Sequence, residues 1–118
     1  MQRIAFIGLG AMGEPMAANL LKKGFSVTVV GHRRPDPVSR LRALGAAVAS
    51  TPAEALRDRA VAILMLPTSS EVERVITGPH GLMETASAGA VIVDCSTSDP
   101  DSTRRLSAAL AARQVGLV

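Results

Sequence analysis

The feature that most limits the fold of this chain is an alternation. Five short apolar runs, RIAFI (3–7), SVTVV (26–30), AVA (47–49), AVAILML (60–66) and AVIVD (90–94), are separated by stretches with helical spacing. Each run is β-branched or small and apolar on both faces, the character of a strand buried between helices in a parallel sheet. The order βαβαβαβαβα with short connections predicts an α/β fold, a doubly wound and mainly parallel sheet with right-handed crossovers. The tail RQVGLV (113–118) reads as the start of one more strand.

Helix boundaries are also written locally. In TPAE (51–54), Thr51 is an N-cap, Pro52 takes the first helical position and Glu54 reaches back, which is a capping box. SEVE (70–73) predicts a second box on Ser70 and Glu73, and SDPD (98–101) opens a last helix running from about Pro100 to Arg113. Gly24 ends the first helix just after Lys22 and Lys23, whose charges suit the negative end of its dipole. No repeat, linker or low-complexity stretch interrupts the 118 residues, which read as one domain.

Composition removes several function classes. With two Phe and no Tyr or Trp there is no aromatic platform for stacking single-stranded bases. The net charge of +3 is spread along the chain, with one tight cluster at His32, Arg33 and Arg34, and nucleic acid is not an expected partner. One cysteine, Cys95, fits a reducing compartment and reads as a small buried hydrophobe sooner than as a nucleophile. The apolar runs fall short of membrane-spanning length and the N-terminus enters a strand at once, so the expectation is a cytoplasmic chain with no membrane partner. No metal site is expected.

The chemistry lies in GLGAMG (8–13). A lone G-x-G-x-x-G is a weak signal, since glycines gather wherever a chain turns sharply. Here it follows a strand, opens the helix MGEPMAANLLKK and sits in a βαβ unit, the context of a dinucleotide-binding Rossmann fold. Gly8 then makes the tight turn, Gly10 lets the backbone approach a pyrophosphate, and Gly13 lets the helix pack on the strand. The backbone of Leu9, Ala11 and Met12 completes the cradle, with helix N-terminal amides facing the phosphates. The alternative is a glycine turn with no ligand. At the tip of the second strand, where an NAD site carries an acid for the ribose hydroxyls, the chain reads GHRRPD. Arg33 and Arg34 suit a 2′-phosphate, so NADP is expected over NAD, unless these arginines form a solvated loop face. His32 would stack on adenine or assist the phosphate, or lie exposed.

The run IAFIGLGAMGEPMAANLLKKGFSVTV closely resembles the opening of the β-hydroxyacid dehydrogenase family. That family includes 3-hydroxyisobutyrate dehydrogenase and tartronate semialdehyde reductase, with 6-phosphogluconate dehydrogenase and the imine reductases as relatives. MLP (65–67) and DCSTSDP (94–100) match further family segments in register. The resemblance implies that Leu66, Pro67 and Thr97 contact the cofactor, with Thr97 near the nicotinamide and Glu71 a further contact. It implies that Ser96 helps hold a substrate carboxylate; the other reading is that Ser96 to Ser98 cap the last helix. The substrate implied is a small hydroxyacid or semialdehyde.

The chain departs from the family in length. The resemblance implies a catalytic lysine and an all-helical substrate domain further along, and neither has a counterpart in these 118 residues. The expectation is therefore a cofactor domain, truncated before the last strands and the helical domain, that binds without turnover and contains no catalytic residue of its own. A free-standing NADP-binding sensor or subunit, and the cofactor domain of an imine reductase-like enzyme, are the alternatives. A flavin or S-adenosylmethionine site on the same fold fits MLP and STSDP less well. An open sheet edge would favour self-association, making a homodimer the expected assembly.

Overall fold

The computed structural model describes residues 2–31, 35–96 and 99–118. Its strands are β1 (Arg3–Ile7), β2 (Ser26–Val30), β3 (Ala47–Ala49), β4 (Val61–Leu64), β5 (Val91–Asp94) and β6 (Gly116–Leu117). They form one sheet in the order β3-β2-β1-β4-β5-β6, and every pairing is parallel. The first three expected strands match residue for residue. The fourth and fifth are shorter than their apolar runs because Met65 and Leu66 already leave the sheet, and Ala90 precedes it.

Five helices connect these strands: α1 (Gly13–Lys22), α2 (Asp36–Ala43), α3 (Pro52–Leu56), α4 (Ser69–Thr77) and α5 (Pro100–Ala111), with a short 3₁₀ turn at Leu82–Glu84. Strand alternation sends successive side chains to opposite layers. Phe6, Val27 and Val29 pack with Ala17 of α1 and Leu41 of α2. Ala5, Ile7, Leu64 and Ile92 pack on the other face with Leu56, Val72, Ile76, Leu106 and Leu110 of α3, α4 and α5. The chain thus winds outward from β1 on one face and from β4 on the other. Between those two strands the connections diverge, and in open α/β sheets ligands bind at the carboxyl ends of such a pair.

The helix ends follow local chemistry, with corrections. Gly24, at φ +94°, closes α1 as expected: its amide donates to the Leu21 carbonyl and that of Phe25 to the Leu20 carbonyl. Thr51 caps α3 through the Glu54 amide, and the Glu54 carboxylate reaches back to the Ser50 amide. The cap of α4 is Thr68, not Ser70, and its hydroxyl accepts from the Glu71 amide. Glu73 instead crosses to α5, where it accepts from the buried Ser102 hydroxyl at 2.5 Å and pairs with Arg105 at 3.2 Å. These bonds, that of Ser102 first, hold the Glu73 carboxyl below its ordinary range. The last helix ends at Ala111 rather than Arg113 and is capped by Asp99, which accepts from the Ser102 amide. Cys95 is exposed, not buried: it lies one residue past β5, at the carboxyl ends of the strands, with its amide bonded to the Leu64 carbonyl of β4. Among the described residues no helix is long and apolar enough to cross a membrane.

Candidate functional site

The chain turns out of β1 at Gly8, whose φ of +109° suits glycine. The turn lies directly against the end of β4: a Cβ on Gly8 would stand 2.1 Å from the Met65 carbonyl oxygen. Gly13, the first residue of α1, is packed as tightly, since its Cβ would lie 1.7 Å from the Gly8 oxygen. Both glycines are therefore required by the chain's own packing. Gly10 is different. A Cβ there meets nothing within 4 Å, and its φ is not in the left-handed region, so no intramolecular contact calls for glycine.

The open space beside Gly10 belongs to a cleft of about 630 Å³ at the carboxyl edge of β1, β2 and β4. Gly8, Leu9, Gly10, Ala11, Met12 and Gly13 form one side of it, and Leu66 and Pro67 lie on it as well. The volume falls in the range of cofactor and small-molecule sites. Met12 is 64% exposed and lines the cleft. Within the first turn of α1 the Glu14 amide already donates to the Gly10 carbonyl and Pro15 has no N–H, so the donors left for the cleft are the amides of Gly13 and of the loop before it, at the positive end of the helix dipole. The side chains fit a diphosphate: the loop offers backbone donors, no acid and no bulk at Gly10.

A smaller hollow of about 330 Å³ adjoins Leu9, Gly10 and Ala11 and is bounded by Glu14, Asp36, Pro37 and Arg40. Arg40 of α2 makes a two-pronged pair with Glu14 of α1, at 2.6 and 2.8 Å. That hydrogen bonding holds the Glu14 carboxyl below its ordinary value of 4.5 and raises the Arg40 guanidinium. The pair ties the middle of α2 to the first turn of α1, just after the glycine loop.

Ser96 sits just past β5. Its hydroxyl accepts from the Leu66 amide at 2.7 Å, and its own amide donates to Asp94 at 2.9 Å. A hydroxyl used as an acceptor keeps its proton for a second partner. Ser96 does not cap α5, because Asp99 does. The Asp99 amide also donates to the Ser69 hydroxyl at 2.6 Å, so the loops after β4 and β5 are joined at two points. Of the residues singled out in the sequence, His32, Arg33, Arg34, Thr97 and Ser98 lie outside the described residues.

The cleft also has walls that the sequence reading did not pick out. Val30 and Gly31 bound it at the tip of β2, Ser50 and Pro52 at the start of α3, and Arg74 and Val75 beside Glu71 on α4. A signal was available for the last two: positions three and four after Glu71 share its helix face.

Known proteins with this arrangement are numerous. A family model described as the NAD binding domain of 6-phosphogluconate dehydrogenase matches residues 3–118. The NAD-dependent L-serine dehydrogenase of Pseudomonas aeruginosa is 42% identical over 117 residues, covering 99% of this chain and 38% of that protein. The solved 3-hydroxyisobutyrate dehydrogenase of Mycobacterium tuberculosis with L-serine superposes with a TM-score of 0.88 at 33% identity, covering 99% of this chain and 39% of that one. The reductive aminase of Aspergillus terreus, solved with NADPH4, cyclohexanone and allyl amine, gives 0.80 at 28% identity, covering 99% and 40%. The chain spans about two fifths of the length of these relatives. It belongs to the family of NAD binding domains of 6-phosphogluconate dehydrogenase.

Proposed function

We propose that residues 1–118 are one dinucleotide-binding domain that holds NADP(H), in preference to NAD(H), for hydride exchange with a small β-hydroxyacid or semialdehyde. The observation that carries the reading is Gly10: a glycine that nothing in the chain requires faces an open cleft at a helix N-terminus. Leu9 to Gly13 would hold the pyrophosphate through backbone amides. Leu66 and Pro67 would pass along the nicotinamide-side ribose, with Thr97 near the nicotinamide ring and the Ser96 proton offered to a substrate carboxylate. When bound, the nicotinamide supplies or accepts the hydride.

The reduced product also needs a proton, or its developing oxyanion a positive partner. The chain's only lysines, Lys22 and Lys23, are exposed at the far end of α1. A helix of 10 residues places that end roughly 15 Å from the glycine loop. Catalytic groups on a further domain would then complete the site, and the chain alone would bind without turning over.

The preference for the phosphorylated cofactor rests on Arg33 and Arg34, and the NADPH-derived ligand of the reductive aminase supports it. The serine dehydrogenase is named for NAD, so the choice is tested directly. Titration with NADPH and NADH is expected to give at least about tenfold tighter binding of NADPH, and Arg33→Ala combined with Arg34→Ala to remove most of that ratio. Equal affinities, or tighter NADH, would overturn the NADP preference. Turnover of small semialdehydes by the chain alone in the same cuvette would overturn the division of labour.

A further inference from the structure

One face of α4 turns Glu71, Arg74 and Val75 to the cleft. Val75 packs partly against the core, but among the described residues neither charged side chain has a hydrogen-bond or ion-pair partner. Thr68 and Glu71 have the spacing of a capping box, yet only half of it forms. The Thr68 hydroxyl accepts from the Glu71 amide at 3.2 Å, while the Glu71 carboxylate accepts nothing back among the described residues. In the corresponding box on α3, Glu54 does reach back, at 3.3 Å. Arg74 likewise has no ion-pair partner among the described residues, whereas its neighbour Glu73 on the opposite face is bonded to Ser102 and Arg105.

A carboxylate in a cleft for a polyanion calls for a ligand group that donates. On a sheet of this order the first βαβ half takes the adenosine, its ribose at the tip of β2, which here is Gly31. Gly31, Ser50, Pro52 and Pro79 line the same cleft as Glu71 and Arg74 of α4. A base carried by a ribose at Gly31 and seated in this cleft would meet α4. Adenine presents an exocyclic amine donor beside a ring-nitrogen acceptor. An ionised glutamate only accepts and an arginine only donates, so the two side chains match that edge. Hypoxanthine puts a carbonyl in place of the amine and would set oxygen against the carboxylate.

Resting on the dinucleotide reading above, we propose that Glu71 and Arg74 read the edge of the adenine base. Glu71 accepts from the exocyclic amine, Arg74 donates to the adjacent ring nitrogen, and the cleft selects adenine over hypoxanthine. Calorimetric titration with NADP⁺ and with nicotinamide hypoxanthine dinucleotide phosphate tests this on the wild-type chain, Glu71→Ala, Glu71→Gln and Arg74→Ala. The wild type is expected to bind the adenine form at least about tenfold more tightly, because the analogue leaves an acceptor facing an acceptor. Glu71→Ala should bring the two affinities within about threefold of each other, and Arg74→Ala should weaken the adenine form. Glu71→Gln, which can donate as well as accept, should tighten binding of the hypoxanthine form, a gain that a merely structural role would not produce. A wild-type ratio within about threefold, or a ratio that survives every substitution, overturns the assignment. If neither dinucleotide binds the wild type, the dinucleotide reading itself fails and the base reader falls with it.

Discussion

Gly10→Ala should raise the Kd for NADPH on the order of 100-fold and leave Tm within about 2 °C of the parent. The stability half follows from geometry. The added methyl meets no atom within 4 Å, and the backbone there is not left-handed, so the fold has nothing to lose. The binding half follows from the cradle. Backbone amides reach a pyrophosphate only if the chain can come within hydrogen-bonding distance, and a methyl at Gly10 stands in that approach. Losing one or two bonds to a charged group, at about 1.5–3 kcal/mol each, accounts for the factor. Fluorescence titration with NADPH, paired with a thermal melt, checks both halves. An unchanged Kd would remove the main support for the cofactor site. A large fall in Tm would mean that Gly10 serves the fold after all.

Much of the fold was legible because the signals are local and agree with one another. RIAFI, SVTVV and AVA form β1, β2 and β3 with the boundaries of their apolar runs, since strand character is carried by the side chains themselves. The cap of α4 was not legible. Thr68 and Ser70 each precede an acid by three residues, and sequence spacing alone cannot choose between them. The choice is tertiary: Val72 and Ile76 must turn inward, and Ser69 is engaged by the Asp99 amide across the gap between the loops after β4 and β5. Cys95 misled for a related reason. A small apolar side chain next to a buried strand reads as core, yet one step past the end of β5 the side chain is exposed at the carboxyl ends of the strands. The glycine loop with Leu66 and Pro67 came from motif and resemblance, and the cleft gathers them. Arg74 and Val75 did not, because they come to line the same cleft as Gly31 only after β4 has crossed back beside β1.

Gly13→Ala should behave in the opposite way to Gly10→Ala, by destabilising the domain itself. Its Cβ would lie 1.7 Å from the Gly8 oxygen and 2.8 Å from the Gly8 carbon, and these backbone atoms have nowhere to go. Gly8 is held on its other side by the Met65 carbonyl, so relief requires α1 to lift away from β1 and β4 together. The Phe6 ring, fully buried beneath α1, would lose packing as the helix moved. Overpacking commonly costs about 1–3 kcal/mol, and a clash confined to backbone should exceed that, lowering Tm by roughly 15 °C or more. A melt within about 3 °C of the parent would show that the β1–α1 junction is softer than its contacts imply. Saturating NADPH separates the two glycines further. Ligand that binds only the folded state raises Tm by mass action, so the folded fraction of Gly13→Ala should regain part of its loss. Gly10→Ala, folded but binding about 100-fold more weakly, should gain about 2.7 kcal/mol less than the parent at the same NADPH concentration, so one pair of melts distinguishes a glycine kept for the chain from a glycine kept for its ligand.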